Sequence, residues 1–163
     1  MEAIALVDDG LVPNNARFAL QLYRGVGPAD AADAAERWIA LFARNGWRGA
    51  WINGIYPFHH YHATAHEVLG LARGMARVQF GGPSGPILSV SAGDAVLIPA
   101  GVGHCRIGTS ADLSVVGAYP GGADWDLQRA TPEARLAALP LIAAVPVWPR
   151  DPVTGAPTSA GPT

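Results

Sequence analysis

The chain has 163 residues, a formal charge of −2, half its residues apolar and 15% charged, which suits one folded domain and excludes disorder of the whole. All 11 basic residues are arginine, so neither a Schiff-base lysine nor a phosphate loop ending in Gly-Lys-Ser/Thr is available. One cysteine, Cys105, excludes an internal disulfide and thiolate metal clusters, and the near-neutral charge gives no case for nucleic acid or an anionic membrane as partner.

Residues Met1–Gly10 carry Glu2, Asp8 and Asp9 and no basic residue, the wrong start for a secretory signal. No apolar run approaches the ~18 residues of a membrane span. The expectation is a soluble, cytoplasmic protein. The 20 glycines and 14 prolines exceed average usage and predict many short segments joined by tight turns.

In chain order, Pro13-Asn14-Asn15 is a turn, and Phe18–Tyr23 alternates apolar and polar residues as an exposed strand does. A helix follows, with Asp30 as its cap and Asp33 and Glu36 near its positive end. Ala34, Trp38, Leu41 and Phe42 form its apolar stripe, and Asn45-Gly46 its stop. From Trp47 to Tyr119, short runs are separated by glycine-bearing turns: Glu67–Leu71, Met75–Phe80, Ile87–Val90, Ala95–Ile98 and Leu113–Tyr119. Strands of this length and spacing predict an all-β sandwich or barrel. A short helix begins with Thr131 as cap and Pro132 at its first position, and Pro140 is expected to end it. The proline-rich tail from Val145 is expected to be extended and pinned early, with Ser159–Thr163 frayed. One structural domain results, with residues 1–46 as a strand and helix packed on the barrel, 47–127 as the barrel, and 128–163 as short helix and tail.

Four of the five histidines lie within eight residues, His59, His60, His62 and His66, and Glu67 follows. Imidazole is the commonest transition-metal ligand, so the cluster suggests a metal. On a strand His60 and His62 share a face. A turn through Ala63-Thr64-Ala65 lets Glu67 return on an adjoining strand, and Pro99-Ala100-Gly101 places His104 at the start of a third. A helical zinc site using His62 and His66 is the competing arrangement; the turn residues speak against it. His59 has the opposite parity to His60, and His66 immediately precedes Glu67 on its strand, so both are expected to face away, in structural or interfacial roles. Tyr56 and Phe58 share the face of His60 and should wall a cavity. Arg106 shares the face of His104 and suits either a substrate carboxylate or phosphate or a barrel-end salt bridge. Trp51, Gln79 and Tyr119 are candidates for the mouth, and Cys105 reads as a small buried residue rather than a nucleophile.

The segment Gly54-(five)-His60-Tyr61-His62-(four)-Glu67-(six)-Gly74 resembles the first cupin motif. Gly93-(five)-Pro99-Ala100-Gly101-(two)-His104 resembles the second, with Gly108 where the family has asparagine. Asn45-Gly46-Trp47, His59-His60-Tyr61-His62, Gly117-Ala118-Tyr119-Pro120 and Asp124-Trp125-Asp126 further resemble bacterial single-domain cupins of the YjlB type. The resemblance implies a small antiparallel β-barrel, or jelly roll, holding one divalent transition metal (Fe, Mn, Zn, Ni or Cu) through His60, His62, Glu67 and His104. It implies dioxygenase-like or isomerase-like chemistry on a small polar organic molecule, with Glu67, Arg106 and Tyr56 as candidate catalytic groups. A non-catalytic metal-dependent binding, sensing or storage protein is the alternative, and a metal-free isomerase a third reading. By family analogy the protein is expected to be a homodimer.

Overall fold

The computed structural model describes residues 1–158; the expected fraying at Ser159–Thr163 lies outside them. Eleven strands form two antiparallel sheets. In the larger, β1 (Glu2–Ile4) pairs with β2 (Leu20–Tyr23), which leads through β8 (Ala95–Ile98), β5 (Glu67–Arg73) and β10 (Ser114–Pro120) to β3 (Trp47–Asn53). The smaller runs β11 (Gln128–Arg129), β4 (His60–Tyr61), β9 (His104–Thr109), β6 (Met75–Phe80) and β7 (Ile87–Ser91). The all-β expectation holds: the two antiparallel sheets pack face to face as a jelly roll, with a helix on the outside of the larger one.

The sheets face each other across Leu20, Leu22, Leu69, Leu71, Val78, Phe80, Val96, Ile98 and Val115. The larger sheet is covered on its other side as well, by α1 (Ala34–Arg44), whose Trp38 and Phe42 lie on Val68, Ala72, Leu97, Val116 and Ala118. Two covered faces explain why β5 and β8 read as almost unbroken apolar runs instead of alternating ones. The helix comes close because β5 has a glycine beneath it. A Cβ on Gly70 would sit 2.6 Å from the Trp38 ring, and the Trp38 Nε1 donates to the carbonyls of Pro28 (2.9 Å) and Leu71 (3.2 Å).

Several expectations need correction. The residue capping α1 is Asp33, not Asp30, and its side chain makes no capping hydrogen bond; Asp30 sits in a left-handed turn (φ 56°). β2 is not exposed: it lies between β1 and β8 with Leu20, Leu22 and Tyr23 buried. The second helix, α2 (Pro132–Ala144), starts at the Thr131 cap, whose Oγ1 accepts from the Ala134 N–H at 3.1 Å, but runs through Pro140. A helical proline forfeits one backbone bond. Here Ala138 and Ile142, buried against Val12, Tyr61 and Ala100, hold the last turn in place.

The tail is tied down along its described length. Trp47 Nε1 donates to the Arg150 carbonyl at 2.8 Å, Asn45 Nδ2 to that of Pro152 at 2.7 Å, and the Tyr23 hydroxyl to Asp151 at 2.5 Å. Among the described residues no helix is long and apolar enough to cross a membrane.

Candidate metal centre

The first cupin-like segment delivers its side chains from two layers. His60 lies on β4, directly opposite His104 on β9, and His62 follows immediately after β4. Glu67 opens β5 in the other sheet and reaches back across the gap. The turn before β9 depends on Gly101, which has φ 88°; a Cβ there would meet the Asn14 carbonyl oxygen at 2.5 Å. Its N–H donates to the His62 carbonyl at 2.8 Å, joining the two motifs through their backbones.

His62, Glu67 and His104 each aim one donor atom at a common point, all within 4.8 Å of one another and all buried. Glu67 Oε2 lies 3.3 Å from His62 Nε2 and 3.3 Å from His104 Nε2. His60 stands beside this group rather than in it. Its ring centroid is 4.0 Å from that of His104, and it packs edge-on to Tyr56 and Phe58.

The hydrogen bonds on the far sides of the rings decide what those near sides carry. His62 Nδ1 meets the Asp126 carbonyl, His104 Nδ1 that of Val102 (3.2 Å), and His60 Nδ1 that of Phe58 (2.9 Å). A carbonyl only accepts, so each Nδ1 carries the proton and each neutral ring leaves Nε2 as a bare lone pair. Glu67 Oε1 accepts from the Tyr119 hydroxyl at 3.0 Å, whereas Oε2 is buried with no donor at all. With both rings neutral, three lone pairs converge with no proton between them, an arrangement costly to bury empty; a proton on His62 or a bound cation relieves it.

Electrostatics agree. Burial raises the pKa of Glu67, but His62 and His104 outweigh it and hold the carboxyl ionised well below its usual range. Burial lowers the pKa of His62, and Glu67 with the Asp126 carbonyl reverses this, leaving it above the ordinary value. Burial, then the neighbouring His104, lowers His60 to about 3, so its ring is neutral. The field that draws a proton to His62 favours any cation placed among the three atoms.

The donors line a cavity of about 460 Å3, walled also by Trp51, Ile55, Tyr56, Leu69, Arg106, Tyr119 and Trp125. Tyr56 and Arg106 therefore stand where parity put them, while Phe58 backs Tyr56 (ring centroids 4.9 Å apart) outside the lining. Gln79 does not reach the mouth. Its amide donates to the carbonyls of Pro83 and Gly85 and closes the β6–β7 hairpin. His66 faces away, between the Ala100 N–H (2.8 Å) and the Pro146 carbonyl (3.0 Å), which is a structural placement. Cys105 is buried and its thiol is pushed up by burial, the environment of a small buried residue rather than of an activated thiolate.

Asp126 had no assigned role, and Trp51 and Tyr119, expected at the mouth, do more than line it. Asp126, besides its carbonyl on His62, accepts at its carboxylate from the N–H groups of Ala63 (2.7 Å) and Thr64 (3.0 Å). Trp51 Nε1 donates to the Tyr119 hydroxyl at 2.8 Å, completing a relay to Glu67. A turn full of donors after His62 calls for an acceptor, but nothing in the sequence says it comes from some sixty residues onward.

Over 148 residues the chain is 40% identical to the Bacillus subtilis (strain 168) protein named "Uncharacterized protein YjlB", covering 91% of this chain and 87% of that one. The chain belongs to the YjlB family. No protein-family model matches this YjlB-family chain. Among solved structures it is similar to the DMSP lyase DddQ from Ruegeria pomeroyi DSS-3, with 22% identity, a TM-score of 0.42, and coverage of 52% of this chain and 43% of that one. It is also similar to acireductone dioxygenase from Bacillus anthracis, solved with a cadmium ion in its active centre. Identity there is 15%, the TM-score 0.39, and coverage 54% of this chain and 60% of the other. The chain spans less than two thirds of either structure.

Proposed function

We propose that this protein is a metal-dependent cupin that binds a small polar organic molecule at a divalent transition metal and acts on it in a dioxygenase-like or isomerase-like reaction. The observation that carries the reading is Glu67 Oε2, a buried acceptor with no donor, set 3.3 Å from two imidazole Nε2 atoms whose own protons are committed elsewhere. His62, Glu67 and His104 fit an Fe, Mn, Zn, Ni or Cu ion by donor chemistry, and His60, with its Nε2 equally bare, is the fourth ligand of the proposed set.

Such an ion supplies Lewis acidity, and redox reach if it is Fe, Mn or Cu. The chain's own groups do the rest. Tyr119 holds Glu67 Oε1 and so leaves Oε2 as the oxygen that binds or, when released, takes a proton. Arg106 and Tyr56, joined by the Arg106 N–H to Tyr56 carbonyl bond (3.0 Å), orient the substrate at the cavity wall. Ile55, Leu69 and the aromatic rings keep bulk water away from the reacting atoms.

Elemental analysis and zinc calorimetry on the purified protein test the site. Stoichiometric binding is expected, lost in His62→Ala and His104→Ala and retained in His59→Ala, which is among neither the converging donors nor the cavity lining. Equal loss from His59→Ala and His62→Ala, or a folded protein that binds no divalent metal, refutes it. An oxygen-uptake screen with catechols, thiols and keto acids under Fe(II) then separates oxygenation from isomerisation, and ligand binding without turnover identifies the non-catalytic alternative. The homodimer remains part of the proposal, to be read by light scattering.

A further inference from the structure

The cavity is larger than a cation needs and lies within the roughly 300–1,000 Å3 that hold small organic ligands. Its walls have two features the donor set leaves unused. The first is Arg106, the one cation among the lining residues. No ion pair among the described residues involves it, so the barrel-end salt bridge expected as its alternative role is not formed. Glu67 is the one lining acid. With a divalent ion bound, the charge of Glu67 is exceeded, and Arg106 adds to the surplus. The site then calls for an anion.

The second feature is flat and apolar. Tyr56 stacks on Phe58 (4.9 Å, 17°), and Trp125, from a different segment, stacks on Tyr119 (5.8 Å, 18°). Each of these lining rings has one face taken by its partner, yet Tyr56 is 47% and Trp125 46% exposed. By contrast Trp38, Trp47 and Trp148 are almost wholly buried. Half-free rings at a cavity rim offer stacking to a planar body.

We infer that the site takes a planar, unsaturated carboxylate, with the acid group gripped by Arg106 and the flat body covered by Tyr56 and Trp125. A guanidinium matches a carboxylate as a two-pronged donor. This deepens the proposed function and rests on it for the divalent charge that exceeds that of Glu67; the grip of Arg106 and the two rings stand without it.

The test is binding rather than turnover. Benzoate, cyclohexanecarboxylate and benzyl alcohol are titrated by calorimetry and tryptophan fluorescence into zinc-loaded and metal-free protein, as wild type, R106Q and W125A, with circular dichroism as the folding check. Benzoate is expected to bind about tenfold tighter than either control, one lacking flatness and the other charge. R106Q should weaken benzoate about tenfold and abolish its advantage over benzyl alcohol. W125A, which alters an exposed ring, should abolish its advantage over cyclohexanecarboxylate while preserving that over the alcohol. Equal binding of benzoate and cyclohexanecarboxylate, undiminished benzoate binding in folded R106Q, or no benzoate binding in zinc-loaded protein overturns the inference. If zinc itself fails to bind while benzoate keeps this pattern, the metal reading falls and the carboxylate site stands.

Discussion

Tyr119→Phe removes one oxygen and keeps the ring that stacks on Trp125. That oxygen is the middle of a relay, accepting from Trp51 Nε1 at 2.8 Å and donating to Glu67 Oε1 at 3.0 Å. Its loss leaves a buried carboxylate oxygen without a donor and an indole N–H without an acceptor. A hydrogen bond to a charged group contributes about 1.5–3 kcal/mol, and about 1.4 kcal/mol is a tenfold change in affinity. With Glu67 no longer held in its aim, zinc affinity by calorimetry is expected to fall by about 10–100-fold, the usual cost of losing a group that orients a ligand. Urea unfolding of the metal-free variant should show about 1–2 kcal/mol less stability. Zinc affinity unchanged in a variant that has lost stability would refute the orienting role, leaving Tyr119 as mere packing.

Three further outcomes are expected. Gly117→Ala places a Cβ 2.1 Å from the Trp51 ring, so it should cost about 1–3 kcal/mol in denaturant unfolding and shift tryptophan fluorescence; a neutral effect on both would show that Trp51 is not confined. Asp126→Ala removes the acceptor for the Ala63 and Thr64 N–H groups and should loosen the His62 turn, seen as faster amide exchange at residues 62–64 and weaker zinc binding; unchanged exchange contradicts it. The Tyr23 pKa is raised by burial and then by its bond to Asp151, so the folded state prefers the neutral phenol. Its contribution is complete below the unfolded value near 10 and is lost as pH rises above it. Tyr23→Phe should flatten the alkaline limb of a stability–pH curve, and an identical limb in both proteins would count against the Tyr23–Asp151 link.

The strands that alternate or end in glycine turns were legible: β6 and β8 run just where their apolar residues do, and β5, β7 and β10 differ only at their ends. β1 and β11 are too short to show a period, and β3 hides behind Arg48 and Gly49. Pro140 misled because its local cost is met by contacts of Ala138 and Ile142 with residues far away in the chain. Motif spacing pointed to His62, Glu67 and His104, whose donor atoms the fold brings together, whereas period two on a strand is a local property and paired His62 with His60, which stands beside the group. The Asp126 carbonyl, the Trp51–Tyr119 relay and the place of His60 beside His104 arise from register between strands distant in sequence, which no single segment encodes.

His62 and His104 hang from the five-stranded sheet and Glu67 from the six-stranded one. An ion joined to all three would work like a rivet through two plates, and because only the folded protein assembles the hole, occupancy feeds directly into resistance to unfolding. At a hundredfold excess over the dissociation constant that amounts to about 2.7 kcal/mol. Chelation would then loosen the clamp between the layers while leaving every strand intact, so the supply of metal in the cell would govern the lifetime of the protein as well as its chemistry.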